Sequence, residues 1–398
     1  MARRHVAIFG GGPSGLMAAE RLSQLGYGVT VYEQMPTVGR KFLLAGKSGL
    51  NITHSEDFSA FVARFGNVYQ RLVPALTKFG PCDLRAWADE LGAQTFVGSS
   101  GRVFPKAMKA SPLLRAWLRR LEVLGVQILT RHRWVGFDDG KAIVDTPAGR
   151  QSVDCDAALF AFGGASWPKL GSDAHWVKPF SEQGIEISAL RPANCGFDIE
   201  WSDYFKSRFA GEPVRSVTVT SDAGTTQGEF VISAYGVEGS LIYAHSFALR
   251  DALASSGRAD LVLDLAPGRR LQRLETDLAR QDGKSSFANL LRKGAGLTGV
   301  KAALVSEVTR VKDPAGLART IKSLKIPISR PRPIEEAISS AGGISWREIN
   351  DNWMLHKRPG VFVAGEMIDW EAPTGGYLLT ACFAMGRGAA DGIHKYLQ

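Results

Sequence analysis

The stretch Gly10-Gly11-Gly12-Pro13-Ser14-Gly15 constrains this chain more than any other part of it. An apolar run, His5 to Phe9, precedes it, and Leu16, Ala19, Leu22 and Leu25 follow at helical spacing, so the local order is strand, tight turn, helix. Gly28 then opens Val29-Thr30-Val31-Tyr32-Glu33, a second strand. In the pattern Gly10-x-Gly12-x-x-Gly15 the first glycine permits the turn, the second lets a pyrophosphate approach the backbone, and the third lets helix and strand pack closely. Pro13 and Ser14 occupy the first helical turn, where free amide N–H groups and the positive end of the helix dipole meet negative phosphates. Glu33 ends the second strand 18 residues after Gly15, where a carboxylate accepts ribose hydroxyls and repels a 2′-phosphate. Glu33 and the adjacent Gln34 are therefore candidate ribose-side residues, and the site suits FAD or NAD better than NADP.

The choice between FAD and NAD comes from the other chain end. Val361-Phe362-Val363-Ala364 is a strand pattern leading to Gly365, Glu366 and Asp369, then Gly375-Gly376-Tyr377 and a long helical pattern to Leu397. This arrangement resembles the flavin segment of two-domain FAD proteins. An acid such as Asp369 would bond the ribityl chain, and a helix start at Gly375 to Tyr377 would aim amide groups at the flavin edge that gains charge on reduction.

At 398 residues, 45% hydrophobic and 22% charged, the chain is expected to fold as two or three domains. No apolar run approaches the roughly 18 residues of a membrane helix, and Gly10 to Pro13 interrupt the run nearest a secretory signal. A cytoplasmic protein with no membrane contact is expected. Cys82, Cys155, Cys195 and Cys382 are far apart with no CxxC pair, so no disulfide framework and no metal site are expected. The net charge of +9 is concentrated: from Gly268 to Lys325 thirteen Lys or Arg face five acids, a local +8. Such a block forms a solvated helical face or attracts phosphates.

Helical patterns run from Phe58 to Leu76, Asp83 to Leu91 and Ser111 to Leu124, the last with Ser111 as N-cap, while Arg40 to Thr53 reads as loop. Strands are expected at Val126 to Leu129, Ala142 to Val144 and Val153 to Phe160, the last ending at Gly163-Gly164. Beyond Ala193 the period becomes two, with strands Ser216 to Ser221 and Gly228 to Ser233 about the turn Asp222-Ala223-Gly224. The expected domains are residues 1–190 with 340–398, a β-rich insert of 191–255 with 325–339, and a basic helical insert of 256–324.

Taken together, the N-terminal turn, Val38-Gly39-Arg40-Lys41, Ser48-Gly49-Leu50-Asn51-Ile52-Thr53, Gly101 to Pro105, Gly163 to Pro168, Gly171-Ser172-Asp173, Ala341 to Ile344 and the C-terminal segment resemble the BaiN/RdsA-like (YhiN-like) FAD-dependent oxidoreductases. The resemblance implies an α/β fold: a Rossmann-like FAD-binding domain built from both chain ends, an inserted β-barrel-like domain and an inserted helical domain. It implies Arg40 and Lys41 near the phosphates, Ser48, Gly49 and Asn51 beside the isoalloxazine, backbone contacts from Trp134 or Val135 to adenine, and Gly163 in the cofactor wall. Many members carry Arg-Cys-Asn where this chain has Gly49-Leu50-Asn51, which removes a cysteine proton donor.

Hydride transfer through flavin N5 needs a positioned substrate and a proton source. His54, with Asn51 beside it, is the first candidate and His175 the second, while Trp167 and Trp370 are candidate stacking platforms for a planar substrate. The leading expectation is reduction of a C=C bond with NAD(P)H as a transient electron donor. The family and the basic insert suggest an RNA-directed variant, uridine to dihydrouridine in ribosomal RNA. A non-catalytic FAD-binding redox sensor is the alternative from another class. The substrate is a small molecule or a nucleobase, and nothing in the sequence speaks to oligomeric state.

Overall fold

A computed structural model describes residues 3–47, 49–281 and 285–398, without the side chains of Asn67 and Tyr69. Ser48, Asp282 and Lys284 lie outside the described residues. The chain forms two compact units, residues 1–191 with 339–398 and residues 192–338.

The first unit is organised by β1 (His5–Phe9), α1 (Pro13–Gln24), β2 (Gly28–Glu33), α2 (Arg40–Ala45), β3 (Gln127–Thr130), β4 (Ala157–Phe160), β5 (Val361–Val363) and α3 (Tyr377–Leu397). Its central sheet has five strands, all parallel, in the order β5-β4-β1-β2-β3. Both faces of such a sheet are covered, which is why β1 and β4 are almost wholly apolar. Phe9 of β1 stacks between Phe160 of β4 and Tyr32 of β2 at 4.8 and 5.2 Å. The strand order reverses between β1 and β4, so the crevice at their carboxyl ends is the place where open α/β sheets bind ligands. The glycine turn follows β1 and the Gly163 turn follows β4 at that crevice.

The long C-terminal pattern is one helix over the range the periodicity predicts. Local boundaries differ elsewhere. Arg40 to Ala45, read as loop, is helical because Gly39 takes a left-handed φ of 68° and starts it. The helix expected to be capped by Ser111 begins at Ala110, with extended Lys109 at the cap, so Ser111 lies inside the first turn. Arg133–Asp138, not anticipated as a strand, pairs with Lys141–Thr146 in a three-stranded antiparallel sheet completed by Gly149–Val153.

The second unit holds a seven-stranded antiparallel sheet whose edge strands are Leu324–Ile328 and Arg330–Pro331. Only Ser329 separates those two edges in sequence, so the sheet must curl until its edges meet. That is a barrel-like closure. The stretch 256–324 is not wholly helical: Ala259–Asp264 joins the sheet because its apolar residues alternate, and the first helix begins at Leu271. Leu274, Leu278, Leu304 and Ile321 from the helical part share one hydrophobic core with Val219 and Leu263 from the sheet. No helix among the described residues is long and apolar enough to cross a membrane.

Candidate active site

The glycine turn shows which of its residues serve the fold and which leave room. A Cβ on Gly10, whose φ is 110°, would lie 2.4 Å from the Ala161 carbonyl oxygen, and one on Gly15 would lie 2.0 Å from the Gly10 carbonyl oxygen. Those glycines bind the crossover to β1 and β4. A Cβ on Gly12 would meet nothing within 4 Å. Gly12 is the N-cap of α1, and the first intrahelical bond is Leu16 N–H to the Gly12 carbonyl, so the Ser14 and Gly15 amides have no helical acceptor. The open space at Gly12 and those amides form a cradle of the kind a pyrophosphate fills. Ser14 contributes only its backbone there, because its hydroxyl donates to the Cys382 carbonyl of α3 at 2.8 Å.

Glu33 accepts from the Gly11 and Met35 amides, each at 2.8 Å. Burial raises its pKa, with the two amide bonds and the charges of Arg40 and His175 acting the other way. A carboxylate anchored in this way by one amide on each oxygen still has lone pairs to accept further donors. Gln34 does not join it: its side-chain amide donates to the Gly171 carbonyl at 2.8 Å and fixes the loop after Gly163. Arg40 stands at the first position of α2, and its Nε is buried without a protein partner. Lys41 is committed elsewhere, with Nζ bonded to Ser166 Oγ and Glu366 Oε2, both at 2.8 Å. Glu366 in turn accepts from the Ser340 amide at 2.8 Å. Lys41 and Glu366, both expected at the cofactor, therefore neutralise each other.

The C-terminal glycines and the loop after α2 meet. A Cβ on Gly376, the left-handed N-cap of α3, would lie 2.5 Å from Thr53 Cα. Thr380 Oγ1, one turn later, donates to Thr53 Oγ1 at 2.8 Å. Gly49 has a φ of 132° and Gly375 one of 135°, backbone shapes other residues rarely adopt. Asn51 Nδ2 donates to the Thr53 and Val103 carbonyls at 2.7 and 3.1 Å, which leaves Oδ1 buried and unpartnered. The Asp369 carboxylate is half-buried with no protein partner among the described residues.

His54 is differently placed from the expectation of a free donor. Its Nδ1 accepts from the Glu56 amide at 3.2 Å and its Nε2 faces the Ser100 carbonyl at 3.0 Å, so Nε2 carries the hydrogen and both nitrogens are engaged. The ring stacks on Tyr377 at 5.6 Å. Tyr377 donates to Glu56 Oε1 at 2.5 Å, and Arg64 donates to Glu56 Oε2 at 2.8 Å. Burial opposes the charge on Glu56, yet the bonds from Arg64 and Tyr377 hold its carboxyl below the ordinary value. Burial and the Glu56 carboxylate push the Tyr377 phenol well up. Of the two tryptophans, Trp370 is buried and donates to the Gly365 carbonyl, so it packs the wall and is no exposed platform; Trp167 is half-buried at a left-handed turn.

Trp134 is buried among Phe160, Phe162 and Phe180, with its indole N–H unpartnered. The register shifts between Trp134 and Gly136, so Val135 sits in a β-bulge whose backbone is left to other partners.

The HI0933-like protein Rossmann domain family model matches residues 4–392. The chain belongs to this family. The HI0933-like assignment agrees with the resemblance drawn from the motifs and makes the chain an FAD-dependent oxidoreductase. Among its relatives, a 3-dehydro-bile acid delta(4,6)-reductase of Clostridium scindens is 22% identical over 96% of this chain and 97% of the relative. A ribosomal RNA dihydrouridine synthase of Haemophilus influenzae is 22% identical over 93% of each chain. A flavocytochrome c3 fumarate reductase structure superposes with a TM-score of 0.54 at 18% identity, covering 99% of this chain and 78% of that one, a likeness of fold.

The residues present fit FAD. Arg40 Nε, Asn51 Oδ1 and Trp134 Nε1 are buried polar atoms without protein partners, and Gly12 faces open space. Sequence reasoning missed Glu56 and Arg64, since nothing local marks Glu56 as the acceptor for a tyrosine 321 positions away. It also missed the placement of Ser172, whose hydroxyl is buried, unpartnered and beside Gly163.

Proposed function

We propose that this chain reduces a carbon–carbon double bond of a planar substrate, with NAD(P)H as the transient electron donor. Bound FAD supplies hydride transfer through N5. The observation that carries the reading is the packing of the N-terminus of α3 onto the loop Gly49 to His54. In this reading the unpaired first amides of that 21-residue helix face the flavin edge where negative charge develops on reduction. Asn51 Oδ1, buried and without a protein partner, is an acceptor left open in that loop. The two relatives named above bear names that describe saturation of a C=C bond, one in a bile acid and one in a uridine base. Because both His54 nitrogens are engaged and the ring carries a single hydrogen, the proton in this reading comes from solvent. Anaerobic mixing with NADH and with NADPH tests the donor: bleaching of the flavin by one of them is expected, and no bleaching by either removes the nicotinamide step.

The basic segment favours a second reading in which the substrate is a nucleobase within RNA. Its charge is smaller in effect than in count, because Arg269, Arg273 and Arg280 all gather on Asp277. Arg292 and Lys293 remain exposed. RNA binding through such residues weakens steeply with salt. Charge reversal at Arg292 and Lys293 should weaken binding of ribosomal RNA fragments, and unchanged binding would remove this reading.

A further inference from the structure

The segment Gly171 to Trp176 contains a built polar site. Asp173 Oδ1 lies 2.6 Å from His175 Nδ1 and also accepts the His175 amide at 3.2 Å. Burial opposes charge on Asp173, but the bonds and charge of His175, with Arg133 at 3.7 Å, hold its carboxyl below the ordinary value. An ionised carboxylate only accepts, so Nδ1 carries a hydrogen and Nε2 is left as the working atom of the ring.

That atom is buried and has no partner. The ring packs edge-on against Phe162 at 4.9 Å and lies 6.2 Å from Trp134. Trp176 Nε1 donates to the Gly163 carbonyl at 2.9 Å and ties the segment to the turn after β4. The Ser172 hydroxyl and the Trp134 indole N–H are buried and unpartnered as well. Three such atoms on neighbouring residues, where each orphan costs free energy, mark a place built for a polar ligand. Gly171, which opens the segment, accepts from the Gln34 side chain at 2.8 Å, and a Cβ on it would lie 2.7 Å from Met35 Cγ, so the segment lies against the two residues that follow Glu33.

We propose that His175, oriented by Asp173, is a ligand of the adenosine half of bound FAD, facing the ribose held by Glu33. The inference rests on FAD being the cofactor and assigns His175 away from proton donation to substrate. As a neutral ring Nε2 accepts from a ribose hydroxyl or an adenine amine; as a cation it donates to a ribose or phosphate oxygen. Asp173 is a positioning residue, since it acts through His175.

The test uses the full-length apoprotein, stripped of flavin and titrated with FAD and with ADP by calorimetry. Wild-type protein is expected to bind both. His175→Ala is expected to weaken FAD and ADP alike by ten-fold or more, and Asp173→Asn to weaken both by a smaller factor. The unfolding midpoint of each apoprotein checks folding, and His175→Gln carries the test if His175→Ala does not fold. Unchanged ADP affinity in folded His175 variants would overturn the proposal while leaving FAD binding intact. Failure of the wild type to bind either FAD or ADP would instead overturn the cofactor assignment, and this proposal with it.

Discussion

Substituting Gly12 by alanine separates a cofactor cradle from a plain βα turn, because the structure gives the two roles opposite signatures. Gly12 has φ −84° and ψ −178°, a conformation any residue adopts, and a Cβ there meets nothing within 4 Å. Replacing glycine at a compatible position stabilises by roughly 0.4–1 kcal/mol through the unfolded chain. Alanine is a poorer N-cap than glycine by a comparable amount, about 0.5–1 kcal/mol. The two effects cancel to within about 0.5 kcal/mol, so the apoprotein should unfold almost as the wild type does. The added methyl nevertheless fills the space where a pyrophosphate would touch the backbone, and a hundred-fold loss of FAD affinity is expected, about 2.7 kcal/mol. At an FAD concentration of about 100 times the wild-type Kd, FAD stabilises the wild type by about 2.7 kcal/mol; in the variant this falls to about 0.4 kcal/mol. Thermal and denaturant unfolding with and without FAD measure both quantities. Gly15→Ala is the contrast, since its Cβ would lie 2.0 Å from the Gly10 carbonyl oxygen and should destabilise the apoprotein by about 3 kcal/mol or more. Wild-type stabilisation by FAD in Gly12→Ala would refute the assignment of this turn to the pyrophosphate.

Glu33→Gln should act on folding and binding in opposite directions. Burial raises the folded pKa of Glu33 above its unfolded value, so the stability linked to this group is present below the unfolded pKa and lost as pH rises through the folded one. At neutral pH the variant apoprotein should be as stable as the wild type or more so, yet bind FAD more weakly; a large loss of apoprotein stability at pH 7 would contradict this. Glu56 has the opposite sign, because its folded pKa lies below the ordinary 4.5, so its contribution is present above that value and lost as pH falls through the folded pKa. Glu56→Gln should cost about 1–3 kcal/mol at pH 7, a deficit that shrinks in unfolding measurements carried toward pH 3, and a pH-independent deficit would sink the account. Lys41→Ala leaves the Glu366 carboxylate, 13% exposed, without its counter-charge and should cost about 3 kcal/mol. Lys41→Ala with Glu366→Gln should cost less than the sum of the single changes in a double-mutant cycle.

What the sequence showed of this molecule follows the range over which each signal acts. The glycine turn, Glu33 and the helix Tyr377–Leu397 were legible because each is decided by its own few residues: backbone freedom at Gly10, a carboxylate at a strand end, apolar residues at period 3.6. The Rossmann-like core followed from two such signals at opposite chain ends. The roles of individual polar groups did not follow. Lys41 looked like a phosphate ligand until Glu366, 325 positions away, was found within 2.8 Å, and His54 looked like a free donor until the Ser100 carbonyl took Nε2. The +8 segment left open a solvated helical face or a phosphate-attracting block, and part of what reduces its charge was readable: Arg273 and Arg280 stand four before and three after Asp277, helical spacings that bring opposite charges together. His175 makes the complementary point. Its partner Asp173 is two positions away and visible in the sequence, but a pair of that kind acquires meaning only when Nε2 is seen to be buried and unanswered beside Trp134 and Ser172. A buried polar atom with no protein partner is a property of packing between separate segments, and no pattern within one segment encodes it.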